Sequence, residues 1–324
     1  MTTTTPTSHN THRFSTKRFL ADNGALVGLV VLSLLLFIAT PAFLTGQNIL
    51  NIGIQASTIA ILAFGSTFAI VAAGIDLSVG SVAALGAMAS AWMFTDANLP
   101  GWLALLAGLL TGLVVGAVNG AANAYGKLPS FIATLAMLSV ARGLTLVLSD
   151  GTPIKTPPIV SFLGSNIGPI PVPIIVLVLA ALVASFILNR TVIGRSMYAV
   201  GGNAEAAELS GINVRRIRVI VFALSGLFAA VAGLLLAGRL DSAQPQAAVG
   251  YELDAIAAVV IGGASLMGGY GKISGTLIGA LVLVVIRNGL NLLNVSSFWQ
   301  QVVIGLVIAL AVGFDVIRRK TRSS

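Results

Sequence analysis

Charge is what this sequence has least of: 9% of its 324 residues are Asp, Glu, Lys or Arg. A folded surface that meets water carries about 25% charged residues, so a soluble globular protein is excluded. With 56% hydrophobic residues and a mean hydropathy of +0.99, the chain is an integral membrane protein. Cysteine is absent, which excludes disulfides, thiol nucleophiles and Cys-ligated metals. The two histidines, His9 and His12, stand in a polar Thr-rich leader, so no histidine metal site can lie within the membrane and none is expected. The net charge of +8 could suggest nucleic acid, but the basic residues come in short clusters between long apolar runs. That pattern writes membrane topology, because Lys and Arg stay on the cytoplasmic side.

What the chain does have is apolar runs long enough to span. A helix crossing the ~30 Å hydrocarbon layer needs about 20 residues. Spans are expected near 24–43, 49–73, 78–95, 100–123, 128–148, 170–188, 218–238, 254–268, 273–292 and 299–317. The eighth is short and glycine-rich, which suggests a broken or re-entrant helix shielded from lipid. The first run follows Arg13, Lys17 and Arg18 and reads as an uncleaved helix. Under this scheme fourteen basic residues fall inside, from Arg13 to Arg322, against Lys155 and Arg239 outside, which puts both termini in the cytoplasm. The expected fold is therefore all-α, a polytopic transmembrane bundle of about ten spans. It comprises a polar leader (1–23), a membrane domain (24–317) with a cytoplasmic segment at 189–217, and a basic tail (318–324). Residues 149–173, rich in Pro and Gly, read as an ordered external loop without regular helix.

One cytoplasmic stretch is conspicuously polar: YAVGGNAEAAELSGINVRRIR, residues 198–218. Gly201 and Gly202 should break the preceding structure, and Asn203 is a natural N-cap. Glu205 suits the positive end of a helix dipole, and Gly211 offers a left-handed stop. The spacing predicts a two-turn helix over 204–210, too short to persist in water unless something packs on it. Either it rests on its own membrane domain, or it docks a separate protein. Docking would use a small-residue face (Ala206, Ala207, Ser210) together with Glu205 and Glu208.

The stretches AAGIDLSVGSVAAL (72–85), PSFIATLAML (129–138), YAVGGNAEAAELSGINV (198–214), SAQPQAAVGYELDAIAAVVIGGASLMGG (242–269) and GTLIGALVLVVIRNGLNLL (275–293) favour docking. Through them the chain resembles the permease subunit of bacterial ATP-binding-cassette sugar importers, over nearly the whole membrane portion. It departs from that pattern in Met267, Tyr270 and the Thr-rich start. The resemblance implies a homodimer in the bacterial inner membrane that carries a monosaccharide. It also implies cytoplasmic ATPase subunits holding ATP and Mg, and an external, periplasmic sugar-binding protein. The family's coupling region maps onto 198–214, and so onto Gly201, Gly202, Asn203, Glu205, Glu208, Leu209 and Gly211.

The chain should not hydrolyse ATP itself. In GGASLMGGYGKIS (262–274) Ile273 occupies the Ser/Thr place of a phosphate-binding loop, and no strand precedes it. Its glycines read instead as a tight turn with close helix contacts. Asp76 and Asp254 stand at span junctions and are read as helix caps, with an ion site as the alternative for Asp76. Arg142 and Arg287 lie inside spans, where they could snorkel outward. Segments 126–142 and 271–287 share Gly-Lys and Arg at matching positions, a weak hint of an internal repeat. Asn48, Asn51, Gln55 and Thr58 fall on one helical face, and Asn288, Asn291 and Asn294 form a second stripe. Such groups could line a path for a neutral polyol or could glue helices together. Two other classes compete with an importer subunit. A stand-alone ion-coupled carrier would need a free buried acid, and a membrane enzyme would need a His/Asp/Glu cluster within the spans.

Overall fold

The structure is a computed structural model that describes residues 24–323, for 311, 312 and 314–323 the backbone alone. The leader (1–23), with His9 and His12, lies outside the described residues, as do the tail's side chains. The helices are α1 (Gly24–Ala39), α2 (Gly46–Val71), α3 (Val79–Thr95), α4 (Gly101–Ala124), α5 (Ser130–Ser149), α6 (Pro158–Leu163), α7 (Val172–Arg190), α8 (Val192–Gly202), α9 (Ala204–Leu209), α10 (Val214–Leu240), α11 (Tyr251–Ile261), α12 (Ile273–Leu292) and α13 (Ser297–Ser323). Among the described residues, strands are confined to two short antiparallel ladders. In one, β1 (Ile154–Lys155) pairs with β4 (Ser242–Ala243); in the other, β2 (Asn166–Ile167) pairs with β3 (Ile170–Pro171).

Six of these helices, α2, α4, α5, α7, α10 and α12, are long and apolar enough to cross a bilayer. Three shorter apolar helices accompany them, Gly24–Ala39, Val79–Thr95 and Ser297–Leu310. The centre of the bundle is α2, in which every residue from Ala56 to Val71 is buried. A helix that is apolar all round has no face to offer water and is surrounded instead. Against it lies α10, with Phe68 and Phe228 edge to face at 5.5 Å.

The most extensive seam runs between α4 and α10. Gly108, Gly112, Gly116 and Gly120 recur every fourth residue and form one face of α4. A Cβ on Gly112, Gly116 or Gly120 would strike the backbone of α10, at Gly226, Phe222 and Val219 respectively. Small residues let membrane helices approach to backbone contact, where packing replaces the missing hydrophobic drive.

Two expectations are corrected and one is met. The 149–173 segment is not free of helix: Pro157 and Pro158 preset the backbone for α6, and β1 zips onto β4. The eighth span is short, as expected: the eleven residues of α11 reach about 16 Å at 1.5 Å per residue, half a bilayer. Gly201 and Gly202 do not break the preceding helix but form the last turn of α8, and the missing Cβ at Gly201 lets that turn close on the Val71 carbonyl.

Candidate functional site

The polar stretch folds as two short helices pivoting on Asn203. Its amide donates the last helical bond of α8, to Ala199 O (3.0 Å), its extended backbone ends that helix, and its side-chain oxygen accepts from Ala206 N (2.9 Å) to start α9. Glu205 occupies the first turn of α9, as its position in the sequence implied. Gly211, at φ +83°, takes the left-handed conformation that closes the helix, and Asn213 then caps α10 at Arg216 N (2.9 Å). The expected small-residue face is divided: Ala207 is buried against the protein, whereas Ala206 and Ser210 are exposed. Glu205, Glu208 and above all Leu209, 91% exposed, point away from the bundle. An almost bare leucine beside two carboxylates is a surface in want of a partner.

α8 is welded to the bundle. Gly201 lies so close to the Val71 carbonyl, at the end of α2, that a Cβ would overlap it. The same carbonyl accepts from Gly269 N (2.9 Å), and the neighbouring Gly268, at φ +88°, rests against Gly201 O. Tyr198 donates its hydroxyl to Gly271 O (2.6 Å), and burial, followed by nearby Tyr270, pushes its phenol above the ordinary range, so it remains a donor. The GGASLMGGYG turn thus clasps α8 and the end of α2, and Lys272 leads directly from it into α12. At Gly202 a Cβ would meet nothing, although its backbone borders Gly269.

A second polar centre sits deep in the bundle, where residues 74–78 link α2 to α3 as neither helix nor strand. The Ile75 and Leu77 amides donate to Ser130 Oγ and Thr134 Oγ1 of α5, both at 3.1 Å. Asp76, 2% exposed, accepts from Ser78 N (3.0 Å) and Ser78 Oγ (2.6 Å), at the start of α3. Its other oxygen takes Ser225 Oγ of α10 (2.7 Å), and Asn119 of α4 donates to Ser78 Oγ (2.9 Å). The expectation of a cap is corrected: Ser78 is the N-cap of α3, no side chain caps that helix, and Asp76 serves instead as a bolt joining its start to α10 and, through Ser78, to α4.

Asp254 is corrected: α11 begins at Gly250 with no side-chain cap, and Asp254 instead forms an ion pair with Arg287 of α12 (2.9 Å). Snorkelling is corrected with it. Arg142 turns inward and donates to Pro245 O (2.8 Å) and Ala247 O (2.9 Å), within electrostatic reach of Glu252. Glu252, unremarked in the sequence, packs on Gly80 at the N-terminus of α3. Two arginines from two helices hold the short α11 and its lead-in.

The polar stripes separate. Asn48 and Asn288 pair reciprocally (3.0 and 2.7 Å), tying α2 to α12, and Asn291 accepts from Gln300 (2.8 Å). Thr58 is buried, Asn51 exposed and Gln55 half-buried. Replacing Asn48 and Asn288 by Ala singly and together should reveal a coupling of about 0.6–1.7 kcal/mol, the range of interhelical hydrogen bonds in membranes. Strict additivity in detergent unfolding would dismiss the pair. No ordinary sequence signal joins residues 240 positions apart, nor Ser225 to Asp76.

Residues 48–312 match the family described as branched-chain amino acid transport system / permease component. The chain is 47% identical to the ribose import permease protein of Haemophilus influenzae, over 95% of this chain and 97% of that one. It is 49% identical to the ribose import permease protein of Bacillus subtilis, with 90% and 92% covered. To the L-arabinose transport system permease protein of Escherichia coli it is 40% identical, with 95% and 94% covered. No solved structure matches.

Proposed function

The chain belongs to the family of permease components of branched-chain amino acid transport systems, and on that premise we propose that it is the membrane subunit of an ATP-driven monosaccharide importer. The sugar is ribose, favoured by the higher identity to ribose than to arabinose permeases. Two copies form the gate in the bacterial inner membrane, with both termini cytoplasmic. α11 enters the membrane without crossing it alone. Each copy receives force from a cytoplasmic ATP-binding-cassette ATPase, which holds the ATP and Mg, and sugar from a periplasmic binding protein.

The observation that carries this reading is the exposed α9, with Leu209 at its tip, joined through α8 to the Val71 and Gly269 contact. A push on α9 moves α8, and Gly201 hands the movement to the ends of α2 and α12. Both of those helices pack on α11. A short helix held by arginines is thereby coupled to a lever on which nucleotide-driven motion can act. The rival carrier driven by an ion gradient lacks support, since Asp76 and Asp254 are both committed to structural partners.

Reconstitution tests the proposal. In liposomes the chain alone should accumulate no ribose; with its ATPase, its binding protein and ATP it should. Leu209→Asp should lower that uptake tenfold or more, because truncating a central interface anchor costs about 2 kcal/mol or more. Its exposure predicts an unchanged unfolding midpoint. Concentrative uptake by the chain alone would overturn the reading.

A further inference from the structure

A cavity of about 260 Å³ opens where α4 ends and α5 and α10 begin, beneath the turn at 72–74. We propose that it holds the headgroup of an anionic phospholipid. Three polar side chains line it: Arg218, Asn123 and Ser130. Arg218 makes no hydrogen bond or ion pair among the described residues, and no carboxylate lines the cavity. Ser130 Oγ already accepts from Ile75 N (3.1 Å), so its own proton is free to be donated. Asn123 gives its amide to Leu128 O (2.8 Å), which leaves its carbonyl oxygen to accept. One guanidinium fork and one hydroxyl suit a phosphodiester, and an acceptor beside them suits a headgroup hydroxyl such as that of phosphoglycerol.

Position argues for lipid over free phosphate. The three residues stand at or near helix ends, the fifth residue of α10, the first of α5 and the last but one of α4, and so at the membrane–water boundary. The mouth adjoins Phe131, Ile132 and Leu135 of α5, each about half exposed, an apolar strip along which an acyl chain can lie. Basic pockets between helix ends of this kind bind anionic headgroups. This inference requires only that the chain sits in a bilayer, and it is independent of what the chain transports.

The test is native mass spectrometry of the intact protein released from nanodiscs of equal phosphatidylglycerol and phosphatidylcholine. Wild type should retain phosphatidylglycerol in preference. Arg218→Gln should lower the retained ratio about tenfold, the weight of one charge-assisted contact, while Arg218→Lys should keep part of it. Arg215→Gln and Arg216→Gln, exposed and outside the cavity, should leave the ratio unchanged. Equal loss in those two variants would mean a diffuse basic surface and overturn the site. So would equal retention of the two lipids, or displacement of the adduct by millimolar inorganic phosphate. Binding is read directly, so a variant's transport does not enter the result.

Discussion

Gly201→Val is expected to reduce uptake by the assembled importer roughly 30-fold to several hundredfold, with ATP hydrolysis continuing. Residue 201 meets a backbone carbonyl, that of Val71, which cannot rotate aside as a side chain would. Overpacking costs about 1–3 kcal/mol, and displacing Val71 also breaks its bond from Gly269, worth about 1 kcal/mol. At tenfold per 1.4 kcal/mol the sum reaches that range. Gly202→Ala is the internal control: a Cβ there would meet nothing within 4 Å, so uptake should stay at the wild-type level. Transport assays on both variants, purified as intact complexes, decide the matter. Full activity in Gly201→Val would remove the weld from the mechanism.

The second large effect concerns the ion pair of α11 and α12. Arg287→Met leaves the Asp254 carboxylate, 6% exposed, without its counter-ion. Breaking a buried pair from one side costs about 3–5 kcal/mol, far more than replacing both partners. The double variant Asp254→Asn/Arg287→Met should therefore recover most of the stability lost in the single one. Unfolding of each in detergent measures the difference. Equal losses would show that Arg287 matters for its packing and not its charge.

Local chemistry was readable in advance. Asn203, Glu205 and Gly211 act within one or two turns of themselves, so α9 could be placed to within a residue from the sequence. Apolar runs likewise located the long helices. What escaped the sequence depends on neighbours far along the chain. Asp254 looked like a cap because its own helix starts nearby, but in an apolar interior a guanidinium 33 residues away is the stronger claimant. Arg142 was read against lipid when the carbonyls of Pro245 and Ala247 were the nearer acceptors. Gly201 and Gly202 looked equivalent, and only the approach of α2 separates them. The glycines of α4 carry the same lesson, since their spacing acquires meaning only against α10.

That helix has a further property. α10 is 27 residues long, about 40 Å, and runs unbroken from Asn213, beside α9, to the β4 ladder. At its far end Gly238 lies backbone to backbone with Val160 and Gly164 of the α6 region. Along the way its contact with α4 leaves no side-chain layer that could slide or absorb strain. A displacement at the α6 end and a displacement at the α9 end are thus felt at the two ends of one stiff strut.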